Sequence, residues 1–376
     1  MAQKKGIRKF TAILLLMAVL IGNIVWSGNG QYVAAPSAAK AETTTDSVLE
    51  GIQGVWISFL DYKAAGLYNK TEKKFTANAD AYFKKLKKDG INTVYFHVVP
   101  CNDAIYPSEY LSWSTYMFKS KPKYDALEIL SEKAHKYNMT FHAWINPYRK
   151  TMKKIYNPGK ASSTNRIVRI VKEIIQNYDV DGIHFDDYFY PSRTKGAQLY
   201  NVSVSKRKKV INKMVKKVYS TVKEYDEDLL FGISPAGAVD YAKSIGCDLK
   251  TWLSKKGYMD YVIPQIYWSD QYKLKGKVTT LFTDRLNQWV ELNKNDTPMY
   301  IGLGLYRGGN RDSSDLGWKR KSNNIVTQIK KLKNKGCDGF VFFSSSSLYA
   351  KAPQKEVKNY RKYIRNNKWE MTEREL

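Results

Sequence analysis

From Gly54 onward, short runs of β-branched and aromatic residues alternate with longer Lys-rich stretches whose apolar positions recur at helical spacing, and the alternation repeats eight times. The pattern predicts strands over Gly54–Phe59, Thr93–Val98, Thr140–Ile145, Gly182–Asp186, Leu230–Ser234, Tyr261–Ile266, Met299–Leu303 and Gly339–Phe343. The clearest helices between them are Asn78–Lys88, Ala126–Tyr137, Asn165–Tyr178, Lys206–Tyr225, Val278–Leu292 and Asn324–Lys335. Several helices close on a Gly that leads into the next strand, as at Lys88-Asp89-Gly90 and Lys335-Gly336. Strand–helix alternation implies a parallel sheet, and eight is the number that closes a barrel, so the expected fold is an α/β (β/α)8 TIM barrel over residues 51–367. An open doubly wound sheet would show a Gly-rich phosphate loop after strand one. Strand one instead runs into Ser58-Phe59-Leu60-Asp61. The Lys-rich helices exclude a propeller, whose blades are all strand.

The N-terminus follows a different rule. Lys4, Lys5, Arg8 and Lys9 precede an apolar run from Ala12 to Trp26, and small residues follow through Ala38-Ala39-Lys40-Ala41. This reads as a signal peptide over residues 1–41, a linker over 42–50, and a secreted or cell-wall-associated protein. The competing expectation is an uncleaved membrane anchor, for which the apolar run is short; after cleavage no stable membrane insertion is expected. Residues 368–376 read as a polar tail. Loss of residues 1–41 removes five basic residues and leaves +22 of the chain's +27. Such a charge attracts polyanions; export argues against nucleic acid and for an anionic cell wall. Cys101, Cys247 and Cys337 are an odd number, far apart, and give neither a disulfide framework nor a metal knuckle.

In a barrel of this kind the chemistry lies at the C-terminal strand ends. Strand two supplies His97, Asn102 and Asp103. Strand three supplies Trp144, Asn146, Tyr148 and Arg149. Strand four supplies His184, Asp186, Asp187, Tyr188 and Tyr190. Strands six and seven supply Gln265, Tyr267, Trp268 and Tyr306. Aromatic faces, amides, an Arg and a carboxylate pair suit a saccharide: rings stack on pyranose faces, amides bind hydroxyls, and carboxylates do acid, base or nucleophilic work. Alternation along strand four turns His184 and Asp186 to the barrel interior, and a buried carboxylate there is costly without a purpose. Asp186 and Asp187 are therefore the candidate catalytic residues, and the others the candidate substrate contacts. No cofactor is called for. His97, His142 and His184 on adjacent strands offer an alternative, a metal-dependent hydrolase or deacetylase; a non-catalytic glycan-binding barrel is a third reading. His135 is expected at the surface of its helix.

With these residues in place, the chain resembles the bacterial glycosyl-hydrolase-like family 10 proteins, which are distinct from the family 10 xylanases. The shared motifs here are Gly54-Val55-Trp56, Asn92 to Phe96, Asn102 to Tyr106, His142 to Arg149, Asp179 to Pro191, Phe231 to Pro235 and Pro264 to Trp268. The resemblance spans about residues 52–350, and Val99 departs from the Arg of many members. It implies a TIM barrel acting on bacterial glycans, and some members hydrolyse peptidoglycan strands stripped of their peptides. Asp181 to Tyr188 is also similar to the strand-four motif of family 18 chitinases. That likeness implies that Asp186 orients a substrate acetamido group, while Tyr188 stands where their acidic Glu would be. The implied activity is hydrolysis of N-acetylated wall glycan, with Asp186 as nucleophile or orienter. The proton donor is then Asp187 or a loop carboxylate such as Asp103, Glu109 or Asp270.

Overall fold

The computed structural model describes residues 24–26, 32–34, 51–190, 202–310 and 313–366. The N-terminal unit, residues 1–48, contributes one short antiparallel pair, Ile24–Trp26 with Tyr32–Ala34. The rest of the segment expected to be a signal peptide, and the expected linker and polar tail, lie outside the described residues. Among the described residues no helix is long and apolar enough to cross a membrane.

The second unit is the barrel. Its strands are β1 (Ile52–Ile57), β2 (Thr93–Val99), β3 (Thr140–Ile145), β4 (Gly182–Asp186), β5 (Leu230–Ser234), β6 in two pieces (Tyr261–Val262 and Gln265–Ile266), β7 (Tyr300–Leu303) and β8 (Gly339–Phe342). All neighbours pair in parallel, from β6 through β5, β4, β3, β2, β1, β8 and β7 back to β6. The break in β6 falls at Pro264, which has no N–H for the ladder. The ring still closes across it, because Ile263 N donates to Ile233 O, Gln265 N to Pro235 O, and Gly302 N to Pro264 O.

Helices α1 (Glu72–Lys88), α2 (Ala126–Lys136), α3 (Ala161–Asn177), α4 (Val204–Tyr225), α5 (Leu281–Leu292), α6 (Asn324–Asn334) and α7 (Gln354–Asn366) surround the ring. In α3 one stripe (Ile167, Ile170, Val171, Ile174, Ile175) is buried, each such side chain contributing about 1.5–3 kcal/mol. Asp125 caps α2 by accepting from Leu127 N and Glu128 N. Helix α1 begins six residues before its expected start, because Phe75 packs on the same buried face as Ala79, Tyr82 and Leu86. Two short helices, Val239–Ser244 and Leu249–Trp252, follow β5.

A side-chain ring pins the base of the barrel. Asn92, Asp181, Asp260 and Asp338, each immediately before an even-numbered strand, accept a backbone N–H near the start of the preceding strand. The donors are Gln53, Phe141, Phe231 and Met299, at 2.7–2.9 Å. Asp181 also holds His135 at 2.7 Å, so His135 is an anchored, half-buried residue rather than a free surface one.

The interior of the ring is filled by Ile52, Trp56, Tyr95, Trp144, Tyr261, Ile263, Tyr300 and Val341, a cluster separate from the sheet–helix core. Rings this large fit because their neighbours are glycine. A Cβ on Gly232 would lie 2.1 Å from the Tyr261 ring, and one on Gly182 would lie 2.4 Å from His142 Nδ1.

Candidate active site

The inward face of β4 carries His184 and, one pleat above it, Asp186, as alternation requires. Fully buried His184 accepts at Nε2 from Trp56 Nε1 (3.2 Å), which leaves its proton on Nδ1, facing Tyr261 Oη at 3.2 Å; Ser234 Oγ also touches Nε2. Tyr261 Oη in turn meets His142 Nδ1 at 3.0 Å. This chain sits beneath Asp186. Burial holds His184 well below the ordinary imidazole range and lowers His142 to about 4, so both rings are neutral.

Asp186 is 7% exposed at the mouth. Its Oδ1 accepts from Asp187 N at 2.8 Å and from Gln265 Nε2 at 3.3 Å. Gln265 is aimed by a second bond, Nε2 to Ser234 O at 2.7 Å. Asp187 turns toward β5, where its Oδ2 accepts from Ala236 N at 2.7 Å. The two carboxyls are also bonded to each other. Burial, and then the charge of Asp186, push Asp187 well above the usual carboxylate range. Burial raises Asp186 as well, and Arg149 and the hydrogen bonds it accepts oppose that rise. Two carboxyls in one dry site share a proton. Here the larger rise falls on Asp187, which favours the proton there and the charge on Asp186.

Around this pair stand the rim residues. Arg149 lies buried, its guanidinium carbon 3.5 Å from the centroid of the Tyr188 ring. Tyr188 is 46% exposed and Tyr306 43%. Tyr267 feels the charges of Asp186 and Asp187 and packs edge-on to Tyr306. His97 stacks on Trp144 at 3.8 Å and 6°, so the Trp144 face that would have met a sugar is already covered. Trp144 Nε1, both His97 nitrogens and Asn146 Oδ1 have no partner among the described residues. Asp103, on the loop after β2, accepts from Cys101 N at 3.0 Å, and burial raises its pKa. Its charge is felt at Tyr116, as is that of Arg149.

Other expected contacts lie elsewhere. Tyr148 and Tyr190 point outward into the sheet–helix core, against Phe189 and Arg207 respectively. Asn102 is engaged by Tyr156 Oη and Arg166. Trp268 is half-buried against the same outer core. Glu109 is solvent-exposed, and Asp270 is clamped by Thr283 and Lys331. His97, His142 and His184 do not converge: among the described residues no three or more His, Cys, Asp or Glu are grouped to hold a metal ion. The mouth also contains residues the sequence reading passed over. Phe59 packs on His97 and Tyr116, and Phe343 packs on Tyr267 and Tyr306. Both lie within two residues of a strand end, the one signal that could have found them.

The family profile described as "Glycosyl hydrolase-like 10" matches residues 51–155 and 148–319. Glycosyl hydrolase DigH of Escherichia coli O6:H1 is 28% identical over 402 residues, covering 88% of this chain and 89% of that protein. Glycosyl hydrolase YngK of Bacillus subtilis is 28% identical over 366 residues, 79% of this chain and 67% of its own. Among solved structures, the Ostrinia furnacalis group IV chitinase superposes with a TM-score of 0.58 at 9% identity, over 85% of this chain and all of that one. This last likeness is one of fold.

Proposed function

The chain belongs to the glycosyl hydrolase-like 10 family, and on that footing we propose that it is an exported glycoside hydrolase cleaving N-acetylated cell-wall glycan at the mouth of its barrel. One observation carries the reading: two adjacent carboxyls, Asp186 and Asp187, both buried at the C-terminal end of β4 and framed by Gln265, Tyr267 and Tyr188. The relatives' names support the reaction class.

In this reading Asp186 acts at the anomeric centre, as nucleophile or by orienting the substrate's acetamido oxygen, and Asp187 positions it by donating a hydrogen bond. Because the proton of Asp187 is committed to Asp186, the leaving-group proton comes from another carboxyl. We assign that role to Asp103, whose burial raises its pKa in the direction a general acid requires. The basic start and apolar run of the N-terminus support export, and the Lys-rich outer faces of α1 and α4 suit an anionic wall.

The test is release of reducing ends from purified glycan strands free of peptides. Wild type releases them, and Asp186→Asn with an unchanged melting curve is reduced at least a thousandfold. Undiminished release by that variant rejects the assignment.

A further inference from the structure

The outer wall of the barrel beside β4 carries a charge pattern that stability does not explain. Residues 188–223, which lead into α4, contain ten Lys or Arg and no Asp or Glu; residues 133–172, which lead into α3, also contain ten and none. The carboxyls between these stretches face elsewhere. Glu173 is buried against Tyr106 and Ser108, Asp179 and Asp181 meet His135 near the base, and Asp186 and Asp187 lie in the mouth. Helices α3 and α4 are neighbours, linked by Lys217 Nζ donating to Asn165 Oδ1 at 2.9 Å. Their outer faces therefore form one cationic surface. Other helices mix their charges: α2 sets Glu128 and Glu132 beside Lys133 and Lys136, and α5 sets Asp284 and Glu291 beside Arg285.

The cations of α4 divide into two sets. Some are spent on the fold: Arg207 donates to Val202 O and Ser244 O, Lys208 pairs with Asp248, and Lys223 pairs with Asp260. Lys206, Lys209, Lys213 and Lys216 are exposed and make no ion pair among the described residues. At about 100° and 1.5 Å per residue, these four fall within about 80° of the helix circumference, spaced about 4.5–6 Å along its axis. Like charges at i,i+3 and i,i+4 destabilise a helix, and Lys206 and Lys209 sit near its N-terminus, where the dipole disfavours cations. Solubility asks for neither, because interspersed signs serve it as well. Beside Lys216 the stripe continues into a groove of about 560 Å³ lined also by Ser220 and Lys256.

We propose that this face binds a linear phosphodiester polymer, a polyol-phosphate chain of the wall, laid along α4 from the mouth toward the base. A helix returning from a strand top starts at the mouth, so the bound polymer holds the open end of the barrel against the wall. The spacing selects the chemistry. A three-carbon polyol phosphate has six backbone bonds between charges, the length of two extended residues, about 7 Å. Flexible lysine stems absorb the difference from the helical spacing, and an ammonium takes a phosphate from any direction. A glycan with one carboxyl per disaccharide spaces its charges more widely. Single-stranded nucleic acid is bound where aromatic rings interleave with the cations, whereas the ring of Tyr219 on α4 is half-buried against the outer core. The proposal rests on the wall location in the reading above and not on the chemistry at Asp186.

The experiment measures binding of the whole chain to short poly(glycerol phosphate) by titration calorimetry across a salt series. Hyaluronan and single-stranded DNA of equal total charge serve as the other two probes. One variant replaces Lys206, Lys209, Lys213 and Lys216 by Gln. A second replaces four exposed lysines on other elements, Lys63, Lys119, Lys277 and Lys351, and so has the same net charge. Gln matches Lys in helix propensity, and melting curves check that both variants fold. Wild type is expected to prefer the polyol phosphate. The stripe variant loses about tenfold or more in affinity, and its log–log salt slope falls by roughly 3; the scattered variant changes less than about threefold. Equal losses in the two variants, or hyaluronan bound as tightly as the polyol phosphate, overturn the proposal. DNA bound more tightly, with the loss again confined to the stripe variant, makes the face a nucleic-acid site and overturns it too. Reducing-end release from isolated glycan strands stays at the wild-type level in the stripe variant. If wild type releases none, the glycosidase reading fails, and the binding series still decides the role of α4.

Discussion

The division of labour between the paired carboxyls gives the sharpest prediction, made with two substitutions at Asp187. Asn is close in shape to a protonated Asp. Its carbonyl can accept from Ala236 N, now 2.7 Å from Oδ2, and its amide can donate to Asp186. Ala removes both bonds. The bond to ionised Asp186 is charge-assisted, so its loss is expected to cost about 1.5–3 kcal/mol, or roughly ten- to a hundredfold in kcat/KM. Asp187→Asn should stay within about fivefold of wild type near neutral pH, because the positioning bond is preserved.

The pH profiles separate the variants further. Burial and Asp186 raise the folded-state pKa of Asp187 above its unfolded value. The favourable state is therefore complete below the unfolded pKa and is lost as pH rises through the folded one. Wild type should lose both stability and activity on that alkaline side, and Asp187→Asn, which cannot ionise, should lack this limb. The assay is kcat/KM on peptide-free strands across pH, with thermal melts at each point. An Asp187→Asn protein that folds normally yet is as inactive as Asp186→Asn would show that the Asp187 proton is consumed in the reaction, and would refute the assignment.

Asp103→Asn should reduce cleavage of natural glycan more than a hundredfold while sparing aryl glycosides whose leaving groups need no protonation; equal losses on both would remove Asp103 as the acid. Gly232→Ala drives a methyl to 2.1 Å from the Tyr261 ring and should destabilise the barrel by about 3 kcal/mol or more; a melting temperature within a degree of wild type would contradict the packing. Asp338→Ala leaves Met299 N without its side-chain acceptor at the base and should cost about 1–3 kcal/mol by denaturant unfolding, with kcat unchanged because the site is at the opposite end. His142 is held at about 4 from an ordinary 6.5 by burial. The stability it contributes is present above pH 6.5 and is lost as pH falls toward 4; urea midpoints flat across that window would contradict a neutral buried ring.

The barrel was legible because its signals are local. Eight apolar runs of strand length separated by helical periodicity give the layers, and period-two alternation in β4 turned His184 and Asp186 inward. What escaped the sequence depends on register and partners. Trp144 was expected to offer a face to sugar, but parallel pairing sets His97 directly opposite and the imidazole occupies that face. Tyr148 and Tyr190 follow strands three and four closely enough to suggest the rim, yet the chain has already turned and they pack outward. Gln265 was recognised as a site residue, but its aim depends on Ser234 O, which it meets only because β5 and β6 lie side by side. The base ring of Asn92, Asp181, Asp260 and Asp338 was visible as residues before strands; its acceptor role needed the neighbouring strand to be identified.

The most direct measurement of the central claim is mass spectrometry of digests run in ¹⁸O-water. Incubating the wild-type protein with peptide-free wall strands should produce shortened oligosaccharides carrying one ¹⁸O at each new reducing end, and Asp186→Asn should produce none. Unlabelled or unshortened strands from wild type, or matching labelled products from the variant, would contradict a hydrolytic site built on that carboxylate.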